Sequence, residues 1–164
     1  MTDSTLLARL DGWAAAAVAP LQSVFLLALR VHVAWQFLKS GWLKARDWES
    51  TLYLFEEEYR VPVLSPAVAA VLGTAGELVF PVLLILGLLT RYAALGLSLV
   101  NVLAVVAYAH VLLGEGFEAA LGQHWLWGLM LATVLLFGGG RLSVDAVLAG
   151  RARAPGALAA APGA

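Results

Sequence analysis

The chain has 164 residues, 62% hydrophobic and 13% charged, against roughly 45–50% apolar and 25% charged in an average soluble domain, and so reads as an integral membrane protein. Ten Lys and Arg against eleven Asp and Glu leave a net charge of -1, too little basic surface to neutralise a nucleic-acid backbone. The absence of cysteine removes disulfide exchange, thiolate metal sites, Fe–S clusters and haem joined through Cys-x-x-Cys-His.

The length holds one membrane domain, residues 1–148, with about four spans of roughly 20 residues each. Asp3-Ser4-Thr5 reads as a helix start, and Leu6, Leu7, Leu10 and Trp13 follow at helical spacing among Arg9 and Asp11. This predicts an interfacial amphipathic helix rather than a cleaved signal peptide, because charges interrupt what should be an apolar run. The first span is expected over residues 20–41, opened by Pro20. Its second half carries Arg30, His32, Gln36 and Lys39, each costly in hydrocarbon unless it faces another helix, a wet cavity or the interface.

Residues 42–65 mix Trp42, Trp48, Tyr53 and Tyr59 with Lys44, Arg46 and Glu56-Glu57-Glu58. That blend predicts a helix lying in the headgroup region, with the acidic run as a solvated face. The second span, residues 66–89, has Glu77 near its middle, Gly73 and Gly76 before it and Pro81 after it. Small residues allow close helix approach. Pro81 frees the carbonyl of Glu77, so a donor or cation is expected nearby. A third span over residues 92–113 carries Asn101, Tyr108 and His110; a fourth over residues 123–140 opens with Gln123-His124-Trp125-Leu126-Trp127. A short helix capped by Ser143 comes next, and the Ala-, Pro- and Gly-rich tail over residues 149–164 is expected to be disordered.

Four spans place both termini and Thr90-Arg91 on one face, and the positive-inside rule puts that face in the cytoplasm of a plasma (inner) membrane. The same connectivity gathers His110, His124, Trp125, Trp42 and Lys44 at the opposite face. Arg30 and Glu77 fall ten to twelve residues into their spans, so a midplane pair is expected, since an unpaired charge at that depth costs several kcal/mol. Two roles fit the pair: a clamp between spans one and two, or a ligand or proton site. The histidines either hydrogen-bond loop backbone or bind a quinone head with Trp42 or Trp125 stacked on the ring. Asn101 serves as an interhelical hydrogen-bonding residue or a ligand contact. The spacing does not impose bis-histidine haem, and a metal site is not expected because no span holds His-x-x-x-His or Glu-x-x-His.

Several segments resemble the DoxX family of small four-helix membrane proteins: Leu29-Arg30-Val31, Gly41-Trp42-Leu43-Lys44, Gly76-Glu77-Leu78, Leu86-Gly87-Leu88-Leu89-Thr90-Arg91 and Gly139-Gly140-Arg141-Leu142-Ser143-Val144-Asp145. The likeness runs from about residue 22 to 148; the loop over residues 47–65 is longer and more acidic than the family leads one to expect. The resemblance implies an all-α bundle and an association with membrane redox chemistry, since relatives include a subunit of a thiosulfate:quinone oxidoreductase. The resulting expectation is a quinone- or amphiphile-binding membrane subunit that meets a soluble or membrane redox partner. The alternative is a non-catalytic assembly factor in which Arg30 and Glu77 act only as a clamp. A proton-coupled transporter is disfavoured because four spans leave little lumen unless the protein forms a homodimer, for which Gly73, Gly76 and Gly138–Gly140 offer small surfaces.

Overall fold

A computed structural model describes residues 3–153 and contains only helices among them. The helix α1 (Asp3–Arg46) is followed by α2 (Trp48–Tyr53), which runs into a π-helical turn (Leu54–Glu58). Then come α3 (Pro66–Leu86), α4 (Thr90–Ala107), the short α5 (Ala109–Leu112), α6 (Glu118–Phe137) and α7 (Val144–Arg153). Within α1 the stretch Ala8–Arg46, and the whole of α3, α4 and α6, are long and apolar enough to cross a membrane. They form an up-down-up-down bundle in which α1 packs on α3 and α6, α3 on α4, and α4 on α6. Two faces result: a terminal face with the α3–α4 turn and α7, and a loop face covered by α2 and its π turn.

Helical periodicity explains the core. The inward row of α1 is Arg30, Val33, Ala34, Phe37 and Gly41; that of α3 is Ala70, Thr74, Glu77, Pro81 and Leu84, each repeating at three and four residues. Val33, Ala34 and Phe37 meet Leu84, Ala93, Ala94, Leu97, Leu131 and Val134 in one cluster. Antiparallel packing fixes the register. A Cβ at Gly41 would lie 2.8 Å from Glu77 Cβ and 3.1 Å from the Glu77 carbonyl oxygen, and Gly87 lies against Arg30.

Several boundaries differ from expectation. Pro20 does not open a span, because the alanine-rich flank carries α1 straight through it. The residues before Ser23 stand outside the bundle, with Leu10, Trp13 and Leu21 exposed. At 1.5 Å per residue, this helix is about 66 Å long, twice the thickness of the hydrocarbon core. The second span stops at Leu86, where Gly87 takes the left-handed conformation (φ 69°) and its N–H bonds Leu83 and Leu84 carbonyls. The third span breaks at Tyr108. The last helix forms where expected, Ser143 Oγ accepting from the Ala146 amide at 3.2 Å, and continues to Arg153. Residues 154–164 of the expected tail lie outside those described.

Candidate functional site

Arg30 and Glu77 do not meet. Glu77 is level with Gly41, and Arg30 sits roughly eleven residues earlier on α1, about 16 Å along the helix axis. The pairing expectation assumed that the first span is centred on Arg30; the register instead puts Arg30 beside the α3–α4 turn.

There Arg30 is fully buried and its Nη2 donates to the Leu142 carbonyl. Around it the terminal face is tied together. Asp145 Oδ1 accepts from the Leu89 amide at 2.9 Å, and Oδ2 accepts from the Thr90 amide at 2.9 Å and the Thr90 hydroxyl at 2.7 Å. Asp145 thereby caps α4 from another part of the chain, which Leu89 (φ 48°) cannot do with its own side chain. The Asp145 amide donates to the Gly87 carbonyl at 2.9 Å, and the Ser143 hydroxyl donates to that of Gly140 at 2.7 Å. Partial burial pushes the Asp145 carboxyl up, but the Thr90 and Leu89 hydrogen bonds and the Arg30 charge outweigh it and hold the carboxyl below its usual range. Gly87 and Gly139 leave the space that the guanidinium and Ser143 fill.

The partner of Glu77 is Lys44. Its Nζ donates to the two carboxylate oxygens at 2.8 and 2.7 Å and to Ser40 Oγ at 2.9 Å, with only 13% and 10% of the Lys44 and Glu77 side chains exposed. Lys44 is thus the cation beside Glu77, and its hydrogen bonds go to the carboxylate.

This pair forms part of the wall of a cavity of about 610 Å³ bounded by α1, α3, α4, α6 and the loop-face segment. Gln36, Ser40, Tyr59, Tyr108 and His124 supply its other polar groups, while Phe80, Leu99, Val100 and Leu103 make an apolar flank. Asn101, buried in α4, determines the chemistry of His124. Its Nδ2 donates to the His124 carbonyl at 3.0 Å, so its Oδ1 faces His124 Nδ1 at 2.8 Å and accepts the proton there. Neutral His124 therefore keeps Nε2 as an acceptor, and no described residue occupies it. The Trp127 ring packs edge-on to His124 at 4.9 Å and to Phe37 at 5.4 Å. Its indole N–H is buried without a partner, a costly state that an incoming acceptor would relieve. Tyr59 stays protonated: burial raises its pKa and the Glu77 carboxylate raises it further.

Of the residues singled out from sequence, Glu77, Lys44 and His124 line this cavity and Asn101 orients His124. Trp42 and Trp125 do not line it; each follows an inward residue and is turned outward by the helical rotation of about 100° per residue, leaving them 60% and 75% exposed. His110 is exposed and packs edge-on to Tyr108 at 5.5 Å, carried outward by the break between α4 and α5. Tyr59, Tyr108, Ser40 and Trp127 were not among the expected site residues, and Gln36 was marked only as needing a helix, a wet cavity or the interface to face. Gln36 and Ser40 border the inward row of α1, and Trp127 is one turn beyond His124, so helical spacing could have found these; the folding of Tyr59 over the bundle end has no local signal. Among the described residues, no cluster of three His, Asp or Glu could hold a metal ion.

Fold and site together define a membrane-embedded four-helix bundle enclosing an amphipathic cavity. The sequence pattern of the DoxX family matches residues 25–110. A protein of Haemophilus influenzae described only as uncharacterized is 33% identical over 132 residues, 76% of this chain and 83% of that one. The chain belongs to the DoxX family. No solved structure matches it.

Proposed function

We propose that this protein binds a quinone, or an amphiphile with a similar hydrogen-bonding ring, in the Lys44–Glu77–His124 cavity and serves as the membrane subunit of a redox partner. The observation that carries the reading is His124: its proton is held on Nδ1 by Asn101, and Nε2 is left for a ligand hydroxyl in a cavity of ligand size. A quinone supplies electron and proton transfer together. The chain's own residues would bind and orient the ring: His124 Nε2 would accept a hydrogen bond from a hydroxyl of the reduced, quinol form, and the Tyr59 hydroxyl and the unpartnered Trp127 indole N–H would donate to a ring oxygen of either form. The Lys44–Glu77 pair fixes the field at the polar end, and the Phe37 and Trp127 rings exclude water.

Arg9, Arg91, Arg141, Arg151 and Arg153 lie toward the terminal side, against Lys39, Lys44, Arg46 and Arg60 toward the loop side; this excess of one basic residue supports cytoplasmic termini in a plasma membrane. The clamp of the alternative, non-catalytic reading is supplied by Arg30 with Leu142 and by Asp145 with Leu89 and Thr90 rather than by Arg30 with Glu77, and it ties the terminal face together away from the cavity. Purification in native lipid followed by lipid extraction tests the main reading. The expected result is a bound quinone retained by the unaltered protein and lost in His124→Ala; no quinone, and no binding of an added analogue, refutes it.

A further inference from the structure

The cavity is closed over its polar end and open on one flank, and the two facts together define a route. On the loop face, the Thr51 hydroxyl fastens α2 to α1 by donating to the Lys44 and Asp47 carbonyls at 2.9 and 2.8 Å. Phe55, buried against Ala69 and Ala70, fastens the π turn to α3. The Arg60 amide donates to the Ala107 carbonyl at 2.9 Å and fastens the end of this segment to α4. Tyr59 closes the gap, edge-on to Phe55 at 4.9 Å and to Tyr108 at 5.4 Å. This roof separates Lys44, Glu77 and His124 from the aqueous face.

The α3–α4 flank has no such cover. Leu72, Leu99 and Leu103 line the cavity and are also 57%, 60% and 37% exposed. The helices close only toward the terminal face, where Gly76 lies on Val100 and Gly96 lies under the Phe80 ring; a Cβ at Gly76 would come 2.8 Å from Val100 Cγ2. Leu99 falls in the middle of α4, at hydrocarbon depth, and the exposed rim is wholly aliphatic. A water-soluble ligand has no reason to enter there, whereas an acyl or prenyl chain is already in that solvent.

Resting on the amphiphile reading above, we infer that ligand enters sideways from the bilayer through the α3–α4 cleft. Its ring passes under the roof to His124, and its tail stays in the cleft against Leu99, Val100 and Leu103. About 610 Å³ accommodates a ring and the first part of a tail but not a polyprenyl chain, whose remainder lies in lipid. The ligand class is thus a long-tailed membrane amphiphile, with Phe80 on Gly96 as the inner stop of the cleft.

The test uses the full chain in lipid nanodiscs and two probes, a tailless ring analogue and an octaprenyl quinone. Leu103→Trp fills the cleft from an exposed position, and Leu136→Trp, on the outside of α6, is the control; thermal unfolding confirms that both fold. Leu103→Trp is expected to weaken the octaprenyl probe by about tenfold or more, since the indole overpacks the space that the tail of a bound ligand must occupy, and to leave the tailless probe unchanged. Equal affinities for the octaprenyl probe in Leu103→Trp and the unaltered chain, or equal losses of both probes, overturn the route. If the unaltered chain binds neither probe, the quinone reading fails, and a phosphatidylcholine carrying a photoreactive mid-chain group decides the route alone. Labelling of Phe80 that Leu103→Trp abolishes supports it; labelling that persists, or never occurs, rejects it.

Discussion

Glu77 has two basic residues on the facing row of α1, and a double-mutant cycle separates them. Lys44 donates to both Glu77 oxygens at 2.7–2.8 Å with both side chains largely shielded. At an effective dielectric of about 20, a contact pair is worth roughly 4 kcal/mol before desolvation, and a measured coupling of about 2–4 kcal/mol follows. Arg30 is about 16 Å farther along the helix, and the same dielectric gives about 1 kcal/mol. Its coupling to Glu77 should be about 1 kcal/mol or less, well below that of Lys44. Alanine suits the cycle, since the Glu77 Cβ that packs on Gly41 is retained. Reversible unfolding in mixed micelles of Lys44→Ala, Arg30→Ala, Glu77→Ala and the two doubles measures both couplings. An Arg30–Glu77 coupling equal to or larger than that of Lys44–Glu77 would refute the register and the assignment of partners.

Gly87→Ala should cost about 3 kcal/mol or more, or abolish accumulation, because it combines left-handed strain with a clash on Arg30 and Ser143; Gly116→Ala, at φ 88° with open space around it, should cost only about 1–2 kcal/mol, both read as unfolding free energies. Asp145→Ala should cost about 2–3 kcal/mol through loss of the α4 cap. The folded carboxyl of Asp145 is held below its unfolded value, so its stabilisation is complete above about pH 4 and is lost as pH falls through the folded value; a melting profile against pH should lose that acid limb in Asp145→Asn. Asn101→Ala should weaken quinone-analogue binding by about tenfold, measured at unchanged ring concentration, because His124 loses the bond that fixes its tautomer.

The bundle itself was legible in sequence because its signals are local. Pro66 opens α3 and the inward rows repeat at helical spacing, whereas the stop at Gly87 comes before the expected end at residue 89. Ser143 was recognisable as a cap, and the segments that carry the family resemblance at residues 87–91 and 139–145 converge in space on Arg30 and Asp145. What could not be read was how far α1 slides along its neighbours. A helix of 44 residues satisfies the hydropathy of a span at many offsets, and Pro20 marked none of them. The contacts of Gly41 with Glu77 and of Gly87 with Arg30 set that offset, and they exchange Arg30 for Lys44 as the partner. The roof escaped for the same reason: the aromatic residues of the π turn signal an interface, and their reach across the bundle end is a long-range property.

The most direct measurement is ¹⁵N NMR of ring-labelled histidine in nanodiscs during titration with a reduced (quinol) analogue. The chain has three histidines, His32, His110 and His124, and the account predicts that only His124 Nε2 shifts while its Nδ1 keeps the signature of a proton donated to Asn101. A titration that leaves His124 unmoved, or that moves the exposed His110 as much, contradicts the placement of the ligand in this cavity.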